Sequence, residues 1–128
     1  MRRRMAALAA LPLLASAAQA QTVVDGSDAS LGVDTAGTVI ALIGRQMRDP
    51  EARVSGLRKG RAGALCGSVD LRNRMGTYTG PQPFVADLSE NFLGRLPEGP
   101  ELRSPGSPAA FKAMQRAKAL YEANCAEG

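Results

Sequence analysis

The chain has 128 residues, 45% of them hydrophobic, with no tryptophan, no histidine and a formal net charge of +4 from 16 Lys+Arg against 12 Asp+Glu. That length fits one modest core, the missing histidine removes the commonest general base and metal ligand, and two cysteines without histidine do not make a structural zinc site. Taking away the three arginines at positions 2–4 leaves 13 basic against 12 acidic residues, so overall charge gives no support to nucleic-acid binding.

The first twenty residues read as a cleavable export leader. Arg2-Arg3-Arg4 is a positive start, Met5–Leu14 an apolar run, and Ala18-Gln19-Ala20 a small-x-small cut site before Gln21. The apolar run is far shorter than the roughly 20 residues that span a bilayer, and no later run approaches that length. The expected product is an exported, periplasmic or secreted chain with no transmembrane segment.

Gln21–Asp34, with Gly26, Ser27, Asp28 and Ser30, reads as a flexible arm ahead of a single small domain over 35–128. A helix is predicted over Thr35–Arg48, capped by Asp34 or Thr35, with Val39, Ile40, Ile43 and Met47 on one face. It ends near Arg48 or Asp49, because the residue before Pro50 is pushed out of the helical region. Arg53–Leu57 is a short candidate strand, and Arg58–Gly63 a basic loop.

Leu65, Gly67, Val69 and Leu71 alternate with Cys66, Ser68, Asp70 and Arg72, the period of a strand with one apolar face. Asn73-Arg74-Met75-Gly76 supplies turn chemistry. Thr77–Thr79 resumes strand, Gly80-Pro81 and Pro83 interrupt it, and Phe84, Ala86 and Leu88 alternate again, which predicts an edge or bulged strand. Asn91–Leu96 is another short strand, and Pro97–Ser107 a linker-like loop. The clearest helix spans Pro108–Asn124, with Ser107 as N-cap, Pro108 at its first position, and Phe111, Met114, Ala117, Tyr121 and Cys125 in one stripe.

The expected fold is therefore α+β: a small antiparallel sheet of three to four strands packed with an N-terminal and a C-terminal helix. Each helix has one apolar stripe and the sheet alternates, so both helices are expected on one face.

Cys66-Gly67-x-Val69, Asn73, Gly76-x-Tyr78-x-Gly80 and Phe84, preceded by Arg48-Asp49-Pro50 and a basic run, resemble a group of small exported proteobacterial proteins. Their usual pattern is a DP motif, then CG-x-VN-x-K/R-N-x-x-GGY-x-G, then an aromatic. The likeness covers roughly Met47–Leu88. It departs at Asp70, where Asn is usual, and at Thr77, where a second Gly is usual, so no role of that amide or that backbone position carries over. It implies a compartment and a fold, and brings no activity with it.

Two cysteines in an exported chain read as one disulfide, Cys66–Cys125. The alternation puts Cys66 on the face opposite Leu65 and Val69. Either a helix covers that face, or Cys125 reaches round the sheet edge; the short tail Ala126-Glu127-Gly128 favours the second.

No catalytic or metal-binding constellation stands out, and no cofactor is implied. GxSxG, P-loop, GxGxxG and HExxH motifs are absent, and Asp70 and Asp87, which the strands could set face to face, read as ordinary surface carboxylates. Eight Lys+Arg lie within Arg45–Arg74, read as a solvated surface or a patch for an anionic partner. The residues singled out for binding are Arg72, Asn73, Arg74, Tyr78 and Phe84 on the hairpin, with Tyr78 and Phe84 as anchors, and Arg58, Lys59 and Arg61 in the basic loop. The expectation is a non-enzymatic envelope module that binds an envelope protein or an anionic envelope polymer. The alternative is a small periplasmic hydrolase or enzyme inhibitor using Asp70 or Tyr78 of the hairpin.

Overall fold

The computed structural model describes residues 22–127; the expected leader and its cut site lie outside them. The elements are strand β1 (Thr22–Val23), helix α1 (Val33–Met47), strands β2 (Arg53–Lys59), β3 (Leu65–Arg72), β4 (Tyr78–Asp87) and β5 (Phe92–Arg95), a short helix α2 (Gly99–Arg103), and helix α3 (Pro108–Asn124). Short 3-10 turns cover Ser27–Ser30 and Leu88–Glu90.

The α+β class holds, but the sheet is larger than expected. It has five strands in the order β1-β2-β3-β4-β5, and it is mixed, because β1 runs parallel to β2 while the other pairs are antiparallel. The extra strand comes from the segment read as a flexible arm. Thr22 and Val24 donate to the carbonyls of Ala52 and Val54, at 3.1 and 2.9 Å. Where β2 bulges between Ser55 and Arg58, with Gly56 at φ 63°, the chain after β1 takes the freed donors. The Asp25 carboxylate accepts from the Gly56 N–H at 2.8 Å, and the Ser27 hydroxyl accepts from Leu57 N–H at 2.9 Å. The Gly56 donation, with help from Ser27, holds the Asp25 carboxyl below the usual carboxylate range.

The strand with the prolines is not an edge. β4 lies between β3 and β5, bulged opposite Asp70–Arg72. Leu96 donates to the Pro83 carbonyl, so Pro83, and Pro81 by the period of 2, turn their nitrogens toward the β5 side. β5 ends at Arg95, and the missing donors therefore cost β3 no ladder bond.

Helices α1 and α3 cover opposite faces of the sheet, not one. Val39, Leu42 and Ile43 of α1 pack on Val54, Leu57, Leu65, Val69, Phe84, Ala86 and Leu93. Ala117 of α3 packs on the other face against Ala64, Cys66 and Val85, with Phe92, Leu120 and Tyr121 alongside. The approach is close: a Cβ added to Gly94 would stand 2.6 Å from that of Ala117. Phe111, at the outer end of the α3 stripe, remains 37% exposed.

The Cys66–Cys125 disulfide forms at a Cα–Cα distance of 5.7 Å. Cys125 does not reach round the edge, as the short tail suggested. It caps α3 directly over the Cys66 face, which that helix covers. α3 runs over Pro108–Asn124 as read, with the Ser107 hydroxyl accepting from Ala110 N–H. α1 begins earlier than read, at Val33, so Asp34 and Thr35 lie inside its first turn and Gly32 is the N-cap. The linker read over Pro97–Ser107 contains α2, whose Glu98 and Glu101 form a capping box.

Candidate functional site

At its C-terminal end α1 stops on Arg48, whose φ of 53° is left-handed, a place usually filled by Gly or Asn. The turn after it sends Asp49 inward beneath β3. Asp49 is nearly buried, and its carboxylate is filled with donors: Glu51 N–H at 3.0 Å, Arg72 N–H at 2.8 Å, and Arg72 Nε and Nη2 at 3.1 and 2.7 Å. The third branch of Arg72 reaches Glu51 at 2.8 Å. These bonds from the Arg72 side chain, opposed by burial, hold the Asp49 carboxyl at about 2 and push the guanidinium up.

On the far side the β3–β4 turn is held by Asn73. Its side-chain oxygen accepts from Met75 and Thr77 N–H at 2.9 and 3.0 Å, and its own N–H donates to Thr77 carbonyl at 2.8 Å. Between this turn and the end of α1 lies an open cleft of about 400 Å³, bounded by Arg48, Asp49, Pro50, Arg72, Asn73 and Arg74. Met75 projects at the turn tip, 89% exposed. The side chains of Arg48 and Arg74 make no hydrogen bond or ion pair with any described residue.

The residues expected to bind separate into two groups. Arg72, Asn73 and Arg74 do meet at this cleft. Tyr78 lies across Pro50 from it, its hydroxyl donating to the Glu51 carbonyl at 2.7 Å and its ring under the Arg53 guanidinium at 3.7 Å. Phe84 is no surface anchor. It is fully buried under α1, and its ring would stand 2.7 Å from a Cβ at Gly67.

The basic loop is largely structural. Arg58 and Lys59 belong to β2, and Arg58 donates to the Cys125 carbonyl at 2.6 Å. Arg61 donates to the Glu122 carbonyl at 3.2 Å, so both arginines answer the open carbonyls at the end of α3, where positive charge also suits the helix dipole. Lys59 stands apart from the cleft, on a different cavity with Asp87 and Ser89.

Asp70 and Asp87 are not a pair. Asp70 is opposite Pro81 and accepts from Gly80 N–H at 2.9 Å, whereas Asp87 is opposite Phe92 near the other end of the strand. Among the described residues no cluster of His, Cys, Asp and Glu could hold a metal ion, and no helix is long and apolar enough to cross a membrane.

Three residues matter here that the sequence reading passed over. Arg48 and Asp49 read in the sequence as the end of a helix, within a basic run and a motif, and nothing local tells that Asp49 meets Arg72 across the turn. Asn124 gave no signal. It is fully buried, its Oδ1 accepts from Ala62 and Ala64 N–H at 2.8 and 3.0 Å, and its Nδ2 donates to Leu120 carbonyl at 2.9 Å. The chain matches no family model, no curated protein and no solved structure.

Proposed function

We propose that the chain is a small exported binding module without catalytic activity, which engages an envelope protein or an anionic envelope polymer at the end of the sheet where Asp49-Pro50 meets the β3–β4 turn. The observation that carries this reading is a rigidly framed cleft whose two rim arginines, Arg48 and Arg74, are left unpaired beside an exposed Met75. By contrast Arg72 in the cleft wall, and Arg58 and Arg61 elsewhere, are spent on the fold itself. Export, with the leader removed after Ala20, agrees with the closed disulfide, since such bonds persist in oxidising compartments.

The mature chain, immobilised and exposed to an envelope extract, is expected to retain a partner, and to lose it as salt screens the exposed arginines. A screen against periplasmic substrates is expected to show no turnover. Hydrolysis abolished by Asp70→Ala would overturn the reading in favour of a small hydrolase.

A further inference from the structure

We propose that the cleft between α1 and the β3–β4 turn is a seat for one oxyanion, a carboxylate or a phosphate, clamped between Arg48 and Arg74. The assignment rests on the binding-module reading and gives it a ligand chemistry.

Charge at the cleft comes first. Asp49 and Glu51 are the acids nearest to it, and both are answered within the frame. Arg72 alone bridges them, and Asp49 accepts two backbone N–H groups besides. A carboxylate so filled repels an incoming anion far less than a free one, because its charge is already matched. What remains is the pair of free guanidinium groups on the two walls. The C-terminal end of α1 opposes an anion with its partial negative charge. One arginine would do little more than offset that; two leave a net attraction.

Rigidity comes second. Arg48 hangs from a backbone fixed between the last turn of α1 and the buried Asp49, and Arg74 from a turn that Asn73 closes with two side-chain bonds. Side chains mounted on fixed backbone lose less freedom on binding than those on a loose loop. The wall residues are also of the right type, since a guanidinium fork matches the planar geometry of a carboxylate or two oxygens of a phosphate. The cleft is open to water, which sets the expected strength. An isolated group should bind with a dissociation constant of about 1 mM, and a polymer carrying many such groups more tightly by avidity.

The test is a ¹⁵N NMR titration of the mature chain, residues 21–128, at low ionic strength with inorganic phosphate, galacturonate and neutral galactose. Saturable shifts are expected at the amides of Arg48, Arg74, Met75 and Gly76 with one or both anions, and none with galactose. Tighter binding of phosphate assigns the seat to phosphate esters, and tighter binding of galacturonate to acidic sugars.

Arg74→Gln is expected to weaken binding about tenfold. Arg48→Gly should do the same while leaving the fold intact, because glycine suits the left-handed backbone there. Lys118→Gln, on exposed α3, should change nothing. Shifts that never saturate, or that spread over every basic surface, would overturn the proposal, as would unchanged affinity in both arginine variants. If neither anion gives saturable shifts at the cleft while an envelope partner is retained by the parent and lost by the Arg48→Gly/Arg74→Gln double variant, the module reading stands and the oxyanion seat falls.

Discussion

Removal of the Asn124 side chain is the most informative single perturbation of the fold. Its carboxamide joins the last turn of α3 to the β2–β3 turn, receiving two N–H groups and giving one to Leu120. In Asn124→Ala both acceptor bonds vanish. Ala64 is buried and its N–H has no route to water, so it loses the full desolvation cost, about 2 kcal/mol within the 1–3 known for such groups. Ala62 is exposed, and its N–H recovers most of its bond from solvent. With the packing lost over Gly60, the expected destabilisation is about 3 kcal/mol, a large share of the 5–15 typical of a domain.

Urea unfolding of the oxidised mature chain reads this as a lower midpoint at unchanged slope. Asn124→Leu separates polarity from volume, because leucine fills nearly the same space without a donor or acceptor. It should be destabilised as much as the alanine variant. If Asn124→Leu unfolds at the parental midpoint, the carboxamide bonds do not hold the two turns together and the reasoning fails.

Gly94→Val is expected to lose about 1–3 kcal/mol by overpacking against Ala117, read as a lower midpoint in the same assay; a neutral result would contradict the close approach of α3. Cys66→Ser and Cys125→Ser should each lower stability by about 4 kcal/mol, since each opens the same crosslink between residues 59 apart, and unequal losses in thermal melts would show another role for one thiol. The Asp49 carboxyl is held at about 2, below its ordinary 3.8, so its contribution is complete above pH 4 and is lost as pH falls toward 2. Asp49→Asn should therefore be less stable than the parent at pH 6, by about 1.5 kcal/mol after solvent screening of the quarter-exposed Arg72, and the gap should narrow below pH 4 and close only below pH 2.

Local chemistry made the C-terminal helix legible. Ser107-Pro108 opens it and one stripe runs along it, and the expectation of export was enough to pair the two cysteines. The layering was not legible by the same route. Alternation in Leu65–Leu71 points to one covered face, yet Ala64-Leu65-Cys66 and Phe84-Val85-Ala86 are buried without a break, the mark of strands covered on both sides. The run Thr22-Val23-Val24 likewise carries strand propensity that was outweighed by the polar residues after it.

Side chains chosen for binding were chosen by type, and type does not reveal what is already engaged. Of those chosen, Arg58, Arg61, Tyr78 and Phe84 are used by the fold and the Arg74 side chain is not, and neither is that of Arg48, which was not among them. That difference arises from where α3 ends and how the β3–β4 turn closes, and both depend on contacts between residues far apart in sequence.

The proposed role of the cleft is tested most directly by reversing charge in two places and comparing retention of whatever partner the parent chain captures from an envelope extract. Arg48→Glu/Arg74→Glu changes the cleft, and Lys112→Glu/Lys118→Glu changes the net charge equally on α3, across the sheet. Retention is expected to fall at least tenfold in the first variant and to stay at the parental level in the second. Equal losses in both would mean that charge alone drives the interaction, and undiminished retention in the cleft variant would mean that the partner binds elsewhere.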